Sequence, residues 1–461
     1  MEFETTEKEQ IESFVDEPLD PYWLKNEKSS SDGINEKFSD RIYITGQNRV
    51  LQKELVKLID SAREVVCAAS FMLSEENIIE AFLRASKRGV RVYLLTSSEA
   101  RLSKDPSEDD EFGKRMIEEH KELLDKLSGK ALLRTAPHLH SKFILTDPNS
   151  SDGPKGFLVT ANLATLPLTR NPEIGIKLNP EEGQELFKQF CIGFWKESKR
   201  ELLEKGNLKA VNNNLDIDVP TLSENSKILC TMKDITTIKD KLLELIDDSD
   251  GNIWACSYGF QESHPVMKSI FSALDHGRDV TVIARHHRFK TKDALISLAE
   301  RGAKVFGLSW IHAKCIVVEG GGNVNAVVMT ANIEDNGLDT GFETGVWLSG
   351  PDASNLLSLL KKWAKNSQLK LETNKKRGEV LGPIMMFKDG EFKEITIEPK
   401  FEHDFGEIKV KAKSKNKIKN ARPKNFPRPD KDNVIYHEHI YKWRVSVPKA
   451  SKNNAVVGGT E

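Results

Sequence analysis

The stretch "HSKFILTD" at residues 140–147 has a counterpart, "HAKCIVVE", at residues 312–319. Each begins with histidine, any residue and lysine, continues with four residues and ends on a carboxylate. A single H-x-K is expected by chance in a lysine-rich chain with 11 histidines, so one copy alone indicates little. In a strand, residues i and i+2 point to the same side, so each histidine is expected to lie beside its lysine.

The residues that follow the two motifs also match. Each motif is followed by an apolar strand that ends in Thr-Ala-Asn, "FLVTAN" to Asn162 and "AVVMTAN" to Asn332. A glutamate, Glu173 or Glu343, comes eleven residues after each asparagine. Chance very rarely produces two such motifs with the same asparagine and glutamate downstream. The pair therefore predicts a duplicated functional site.

The sequence around the motifs repeats as well, which indicates two related halves. "FLRASKRGVRVYLLT" aligns with "IFSALDHGRDVTVIA", and Gly89 and Val92 match Gly277 and Val280 at an offset of 188. The first half then carries a longer polar insertion. Predicted strands alternate with predicted helices in both halves, which is typical of an α/β fold with a largely covered sheet.

Composition separates the rest of the chain from these halves. The N-terminal segment holds 12 acidic and 4 basic residues and is predicted to be a flexible acidic arm. A polar, Asn-rich segment between the halves is predicted to be a linker. The C-terminal region is predicted to be basic and β-rich, with a hairpin in "GPIMMFKDGEFKEITI". The predicted boundaries are 1–40 (arm), 41–200 (first half), 201–228 (linker), 229–368 (second half) and 369–461 (C-terminal region).

Two basic clusters are candidate phosphate-binding surfaces. The first consists of lysines at every second position, which a strand would place on one face; a solvated edge strand or a disordered run is the alternative. Its members are Lys409, Lys411, Lys413, Lys415, Lys417 and Lys419. The second cluster, residues 285–288, follows a predicted strand, where ligands often bind. Contact with substrate phosphates and a solvated loop are both compatible with it.

Composition also limits the classes of function. The 461 residues carry a net charge of −2, so nucleic-acid binding must depend on local basic surface. No apolar segment approaches the roughly 18 residues that a membrane helix needs. The acidic N-terminus predicts no signal peptide. Five dispersed cysteines without C-x-x-C predict a reduced, cytoplasmic protein with buried thiols.

The repeated residue types suit chemistry at a phosphate. Histidine can act as a nucleophile or as a general acid or base near neutral pH. Lysine supplies positive charge and asparagine an amide donor for the phosphate oxygens. A glutamate can accept a hydrogen bond from the second ring nitrogen and so fix the tautomer. Two copies provide one histidine to attack and one to protonate the leaving oxygen, and no metal or cofactor is predicted.

Both motifs resemble the HKD motif of the phospholipase D superfamily, H-x-K-x(4)-D followed by a Gly/Ser-x-Asn segment, and the resemblance covers about residues 41–368. It implies two α/β/α lobes about a pseudo-twofold axis, with the active site at their junction and a phosphohistidine intermediate. It also implies that His140 is the nucleophile and His312 the general acid, although the symmetry makes these roles nearly exchangeable. The implied phosphate-binding residues are Lys142, Lys314, Asn162 and Asn332. The implied histidine-orienting residues are Glu173 and Glu343.

The second half departs from this pattern at the last motif position. Glu319 replaces the aspartate that Asp147 supplies in the first half. In such proteins this carboxylate supports the structure, so the resemblance implies a bracing role for both residues. In both halves, threonine (Thr160 and Thr330) occupies the position of the Gly/Ser pair and keeps a hydroxyl.

The fold alone does not choose the substrate, since superfamily members act on phospholipids, on nucleic acids and on protein–DNA adducts. The region from residue 371 onward holds 20 basic and 13 acidic residues, which favours a nuclease on DNA or RNA. Similar proteins suggest genome defence or repair beside a helicase or ATPase partner. A phospholipase or phosphatidyltransferase and a non-catalytic nucleic-acid-binding subunit are the alternatives. Because one chain contains both motifs, a monomer can form the full site.

Overall fold

The computed structural model describes most of the chain and divides it into two compact units. One unit is Asn26–Leu371, and the other combines the chain ends, Met1–Lys25 and Glu372–Glu461. The larger unit contains both halves of the repeat. The described residues are 2–5, 10–13, 18–27, 29, 33–97, 110–204, 207–211, 220–223, 225–376, 379–380, 382–388, 390–397, 401–404, 408–411, 434–436 and 441–443.

The first lobe is a mixed sheet covered by helices. Its central strand, Val65–Ser70, is buried at every residue, pairs in parallel with Arg91–Ser97 and pairs antiparallel with Phe143–Thr146. In spatial order the strands are Ile42–Ile44, Ile174–Leu178, Lys155–Val159, Phe143–Thr146, Val65–Ser70, Arg91–Ser97, Leu132–Ala136, Arg200–Glu204 and Asn207–Ala210. The helices are Val50–Ser61, Glu76–Lys87, Asp110–Leu127, Thr165–Thr169 and Pro180–Ile192, with a π-helical turn at Gly193–Glu197.

The second lobe repeats this arrangement. From Ile228–Met232 to Lys304–Gly307 its strands follow the same spatial order as those from Ile42–Ile44 to Leu132–Ala136. In spatial order they are Ile235–Thr236, Ile228–Met232, Glu343–Ser349, Asn323–Met329, Cys315–Gly320, Asn252–Ser257, Val280–Ala284, Lys304–Gly307 and Leu369–Glu372. The helices are Thr237–Asp247, Pro265–Asp275, Phe289–Thr291 (3₁₀), Lys292–Glu300, Asp335–Leu338 and Pro351–Asn366.

Equivalent sequence features produce equivalent elements in the two lobes. Gly89 and Gly277 follow matching helices and adopt φ of +85° and +79°, a left-handed conformation that glycine adopts without strain at a helix end. The chain then turns directly into the next parallel strand. The sequence-based prediction of an α/β fold with two related lobes and a β-rich C-terminal region is confirmed.

The two lobes share one hydrophobic core and several polar contacts. Phe342 of the second lobe is 3% exposed and packs against Gly193 of the first, where a Cβ atom would lie only 2.2 Å from its ring. Arg41 of the first lobe donates to Asp352 of the second at 2.7 Å and to Glu182 of its own lobe at 2.5 Å. These contacts hold the ends of the strands that carry the motifs in a common position.

Two predicted boundaries differ from the structure. Part of the predicted linker 201–228 belongs to the first lobe, since Arg200–Glu204 pairs with both Leu132–Ala136 and Asn207–Ala210. Leu202 is buried in this strand. One buried leucine among polar residues is too short an apolar pattern to predict a strand. The predicted flexible arm 1–40 contains the strands Glu2–Thr5, Gln10–Ser13 and Tyr22–Lys25, and its residues from Asn26 onward belong to the larger unit.

The unit of the chain ends is a group of β-strands with a small core. Tyr22–Lys25 pairs with Gly382–Lys388, which forms the predicted hairpin with Glu391–Ile397. The other strands are Glu2–Thr5 paired with Ile408–Lys411, Gln10–Ser13 paired with Phe401–Asp404, and Val434–Tyr436 paired with Tyr441–Trp443. Of the six predicted surface lysines, Lys409 and Lys411 lie in a strand. The remaining four, Lys413, Lys415, Lys417 and Lys419, lie outside the described residues.

Within the part of the chain that the structure describes, no helix is both long enough and apolar enough to cross a membrane.

Candidate active site

The two motif histidines lie at the junction of the lobes, and each is held by the backbone of the opposite lobe. The N–H groups of His140 and Ser141 both donate to the carbonyl of Phe342 at 2.9 Å. The N–H groups of His312 and Ala313 both donate to the carbonyl of Pro172 at 3.1 Å. Phe342 and Pro172 directly precede Glu343 and Glu173, the two repeated glutamates, so the arrangement follows the pseudo-twofold relation.

The glutamates also act across the junction. His140 Nδ1 lies 2.7 Å from Glu343 Oε1, and His312 Nδ1 lies 2.6 Å from Glu173 Oε1. An ionised carboxylate only accepts hydrogen bonds, so each Nδ1 carries the proton and donates it. This leaves a lone pair on Nε2 of each imidazole, and that of His312 lies 3.1 Å from Lys314 Nζ. The glutamate that orients each histidine therefore comes from the other half of the sequence.

Two threonines fix the glutamates, a role that the sequence analysis did not assign. Thr160 Oγ1 donates to Glu173 Oε2, and Thr330 Oγ1 to Glu343 Oε2, both at 2.5 Å. Each hydroxyl also accepts from the N–H of the residue after the glutamate, at 2.9 and 3.0 Å. The signal was present in the sequence, because a threonine stands two residues before each asparagine.

The motif lysines are completely buried beside their histidines. Lys142 donates to the carbonyl of His140, and Lys314 Nζ lies 2.6 Å from the carbonyl of His312 and 3.1 Å from its Nε2. Burial lowers the pKa of Lys314 to about 8 although Glu173 and Glu343 oppose this effect. The charge of this lysine is therefore sensitive to pH rather than permanent.

The motif asparagines present polar atoms to the same region. The side-chain oxygens of Asn162 and Asn332 are buried and have no hydrogen-bond partner among the described residues. A buried amide group without a partner is costly. A bound ligand that offers a donor, or an amide orientation that presents its N–H₂ to phosphate oxygens, would remove this cost.

Burial determines the charge of both histidines. It lowers the pKa of His140, and it lowers the pKa of His312 to about 4, in both cases against the attraction of the glutamate partner. Burial alone would raise the pKa of Glu173 and Glu343, but the histidine contacts and nearby lysines outweigh it and the pKa of each falls. The site therefore contains two neutral imidazoles and two carboxylates at neutral pH.

The carboxylates that close the two motifs lie in different environments. Asp147 accepts backbone N–H bonds from Arg63, Glu64 and Val65 at 2.8–3.2 Å, and so caps the start of the central strand. Glu319 instead lies at the surface, 3.5 Å from Lys361 Nζ. A glutamate is accepted at this position because its side chain does not perform the capping role of Asp147.

The basic turn at residues 285–288 lies next to His312. The Tyr258 ring lies 4.9 Å from the His312 ring, and the Arg288 guanidinium lies 4.1 Å above the Tyr258 ring. Arg288 also donates to the Tyr258 carbonyl at 2.9 Å and to Glu334 at 3.0 Å. The turn is half-buried, and Arg288 positions the aromatic ring that packs on His312.

Among the described residues, one further group has the spacing of metal ligands. The ligand atoms of His264, Asp335 and Asp339 all lie within 4.8 Å of one another. Asp339 already forms an ion pair with Lys239 at 2.5 Å and accepts a hydrogen bond from His264 Nε2 at 3.1 Å, and burial lowers the pKa of His264. We therefore interpret the group as a hydrogen-bonded cluster at the start of helix Pro265–Asp275.

Several solved structures resemble the chain. They are polyphosphate kinase from Porphyromonas gingivalis (14% identity, 75% of this chain and 50% of that chain, TM-score 0.47), phosphatidylserine synthase from Haemophilus influenzae Rd KW20 (12%, 78% and 90%, TM-score 0.49) and Nuc from Salmonella typhimurium, a phospholipase D family member (16%, 34% and 95%, TM-score 0.26). The chain thus spans half the length of the polyphosphate kinase. A comparison with curated proteins finds no match.

The family comparison covers both lobes. Residues 55–195 and 242–365 match the family model described as "Cardiolipin synthase, PLD-like domain". The match spans more than half of the chain and includes both histidine–lysine motifs, both asparagines and both glutamates. The chain therefore belongs to the phospholipase D superfamily.

Proposed function

We propose that the protein is a metal-independent nuclease that cleaves phosphodiester bonds of DNA or RNA through a phosphohistidine intermediate. The observation that carries the proposal is the pair of imidazoles whose Nδ1 atoms donate to buried glutamates of the opposite lobe. Each Nε2 is thereby available for chemistry. A buried lysine accompanies each histidine, to hold charge on the phosphate oxygens.

The proposed reaction has two steps, formation of the phosphohistidine and its hydrolysis. Nε2 of His140 attacks phosphorus, and the bond to the leaving oxygen breaks as His312 donates its Nε2 proton to that oxygen. The anionic phosphodiester favours the protonated form of His312 before this step. In the second step His312 takes a proton from water, the resulting hydroxide attacks phosphorus and the P–N bond breaks. The geometry also permits the reverse assignment of the two histidines.

Local basic surface supports nucleic acid as the substrate. Arg285 lies 5.6 Å from the Tyr258 ring, which packs on His312, whereas the charge of Arg288 is paired with Glu334 at 3.0 Å. Positive charge at this distance attracts the phosphates that flank a scissile bond. We extend the proposal to a cytoplasmic enzyme of genome defence or repair that acts beside a helicase or ATPase, which co-purification from a native host would test.

The test compares substrates in the presence of EDTA. Purified protein is incubated with plasmid DNA, single-stranded DNA, RNA and phosphatidylcholine vesicles. We expect cleavage of nucleic acid that is lost in His140→Ala and His312→Ala and retained in His276→Ala, an exposed histidine at a helix end. Acid-labile ³²P label on one histidine identifies the nucleophile. Release of lipid head groups with DNA intact contradicts the proposal, and so does DNA retention without cleavage.

A further inference from the structure

One rim of the active site carries an exposed tryptophan between two arginines. Trp310 is 37% exposed and stands two residues before His312. The Arg170 guanidinium carbon lies 3.7 Å from the Trp310 ring centroid, and that of Arg285 lies 4.5 Å from it. Arg170 comes from the first lobe, three residues before Glu173, whereas Trp310 and Arg285 come from the second. The cluster therefore bridges the junction beside the catalytic residues.

The pseudo-twofold relation places different residues on the opposite rim. The equivalent of Trp310 is His138, two residues before His140, and the equivalent of Arg170 is Thr340, three residues before Glu343. The catalytic residues are thus duplicated while the rim residues are not. A symmetric site with one cationic, aromatic rim distinguishes the two sides of a bound phosphodiester.

The third member of the cluster shows the same asymmetry. Ser257 and Ser70 occupy equivalent strand ends, since each hydroxyl donates to the carbonyl two residues later. Their parallel-strand partners are Ala284 and Thr96. Arg285 therefore corresponds to Ser97, a buried residue without charge. At these equivalent positions of the described residues, the positive charge and the large ring occur on the His312 side.

The cluster has the chemistry of a nucleotide-binding site. Burial and the charge of Arg285 lower the pKa of Arg170, because two guanidinium groups lie close together. An anion bound between or beside them would relieve this repulsion. A base can stack on the Trp310 ring when one guanidinium moves from the ring to the phosphate of the nucleotide, and the arginine that stays adds a cation–π contribution. A phospholipid supplies phosphate but no aromatic group for the ring.

We propose that Trp310, Arg170 and Arg285 form a subsite for the nucleotide next to the scissile phosphate on the His312 side. The subsite rests on the proposed nuclease function and defines its substrate as single-stranded or locally unpaired nucleic acid. Bases within a duplex are stacked on their neighbours and are not available to the ring. Because the equivalent positions of the other rim carry His138, Thr340 and Ser97, the strand binds with a fixed polarity.

The first experiment compares single-stranded and duplex oligonucleotides of one sequence with methyl p-nitrophenyl phosphate, a diester without a base or second phosphate. The variants are Trp310→Ala, Trp310→Phe and Arg170→Gln. The controls are Phe289→Ala, an aromatic residue 61% exposed, and Arg91→Gln, an exposed arginine at the far end of its strand. We expect Trp310→Ala to lower the ratio of kcat/KM for single strands to that for the small diester by about tenfold, as loss of one stacked base predicts.

Three further outcomes decide the inference. Trp310→Phe should restore most of the ratio, and wild-type protein should prefer single strands to duplex. An abasic site on one side of the scissile phosphate should lower wild-type cleavage by the same factor, with no additional loss in Trp310→Ala. Equal losses on the oligonucleotide and the small diester, or an unchanged ratio as in Phe289→Ala, overturn the subsite.

Binding separates failure of the subsite from failure of the proposed nuclease function. Affinity for a fluorescent oligonucleotide is measured in a His140→Ala background, with and without Trp310→Ala. If wild-type protein cleaves no nucleic acid, the nuclease proposal fails. In that case a tenfold loss of oligonucleotide affinity on Trp310→Ala would still support the subsite. Cleavage by wild-type protein with no effect of Trp310→Ala on either binding or rate rejects the subsite alone. Trp310-dependent binding to phosphatidylcholine vesicles instead of oligonucleotides also rejects it.

Discussion

Replacement of Glu173 by glutamine tests the crossed arrangement of the active site most directly. The Glu173 side chain is 0% exposed and accepts from His312 Nδ1 at 2.6 Å and from Thr160 Oγ1 at 2.5 Å. Glutamine has nearly the same shape, and its carbonyl can still accept from one of these groups. The substitution therefore removes the negative charge while it leaves the junction of the lobes filled.

The expected loss follows from the burial of the pair. Removal of one partner from a buried ion pair costs about 3–5 kcal/mol, and a neutral acceptor retains roughly half of a charge-assisted hydrogen bond. This leaves a loss of about 2–3 kcal/mol whenever His312 must carry a proton during turnover. At about 1.4 kcal/mol per factor of ten, kcat falls roughly 30- to 100-fold or slightly more.

Nuclear magnetic resonance of protein with ¹⁵N-labelled histidine distinguishes the crossed arrangement from one within each lobe. In Glu173→Gln the ring nitrogen signals of His312 should change and its pKa should fall further, because an attractive charge is gone. The signals of His140 should stay nearly constant. Glu343→Gln should instead change the signals of His140 and leave those of His312 nearly constant. Replacement of the exposed Glu64 by glutamine should affect neither histidine.

The opposite assignment, in which Glu173→Gln perturbs His140, would refute the crossed contact. An unaltered kcat for Glu173→Gln, with the fold intact by thermal unfolding, would refute the electrostatic argument. A general loss of structure is excluded as the cause when the unfolding temperature of the variant matches that of Glu64→Gln.

Three other predictions follow from the hydrogen bonds and the pKa shifts of buried groups. Thr160→Val leaves one Glu173 oxygen buried without its donor, so the free energy of unfolding measured with urea should fall by about 1–3 kcal/mol, whereas Thr160→Ser should retain it. In the pH–rate profile, log kcat/KM should fall by about one unit per pH unit from about pH 6.5 to 8, because the lowered pKa of the imidazoles makes the singly protonated pair rarer. Above pH 8 the decline should steepen as Lys314 loses its proton, and Lys314→Arg should abolish only the steepening. Burial lowers the pKa of His120 to about 4, so the unfolded chain binds the additional proton below about pH 6.5 and the free energy of unfolding should decrease from there toward pH 4. We expect His120→Asn to reduce the slope of the unfolding free energy against pH by the contribution of about one proton. Urea titrations at successive pH values measure this slope.

The fold of each lobe could be predicted because its central strands carry a strong local signal. "EVVCAASF" forms Val65–Ser70, and all residues of that strand are buried, as expected for a strand covered on both faces. The alignment of Gly89 with Gly277 shows that the pattern occurs again in the second half. The same strand could therefore be predicted from two separate sequences.

The partners of the shorter strands could not be predicted. Tyr22–Lys25 pairs with Gly382–Lys388, which is far away in the sequence, and neither strand shows an unusual pattern. Arg200–Glu204 joins the first lobe with one buried leucine in its middle. Such pairings depend on which sheet edge is open after the larger elements have packed, and composition does not contain that information.

The residue types of the active site could be predicted, but their connections could not. Histidine, lysine, asparagine and glutamate recur at equal spacing, but this spacing does not indicate which glutamate contacts which histidine. In the structure His140 contacts Glu343 and His312 contacts Glu173, each in the opposite lobe. Spacing along the chain cannot distinguish a contact within one copy from a contact between copies.

The crossed contacts explain why the rims of the site were able to diverge. Each histidine donates its backbone N–H and its Nδ1–H to acceptors in the other lobe. Neither lobe alone can therefore hold its histidine in position. In a symmetric homodimer of one-motif chains, any change at the rim would appear on both sides of the site. Here the two lobes have different sequences, and Trp310 in one lobe occupies the position that His138 occupies in the other. A chain with two unequal lobes can therefore keep the motif residues symmetric while the rim differs between the two sides, which would suit the strand substrate of the proposed nuclease, because the two ends of a strand differ chemically.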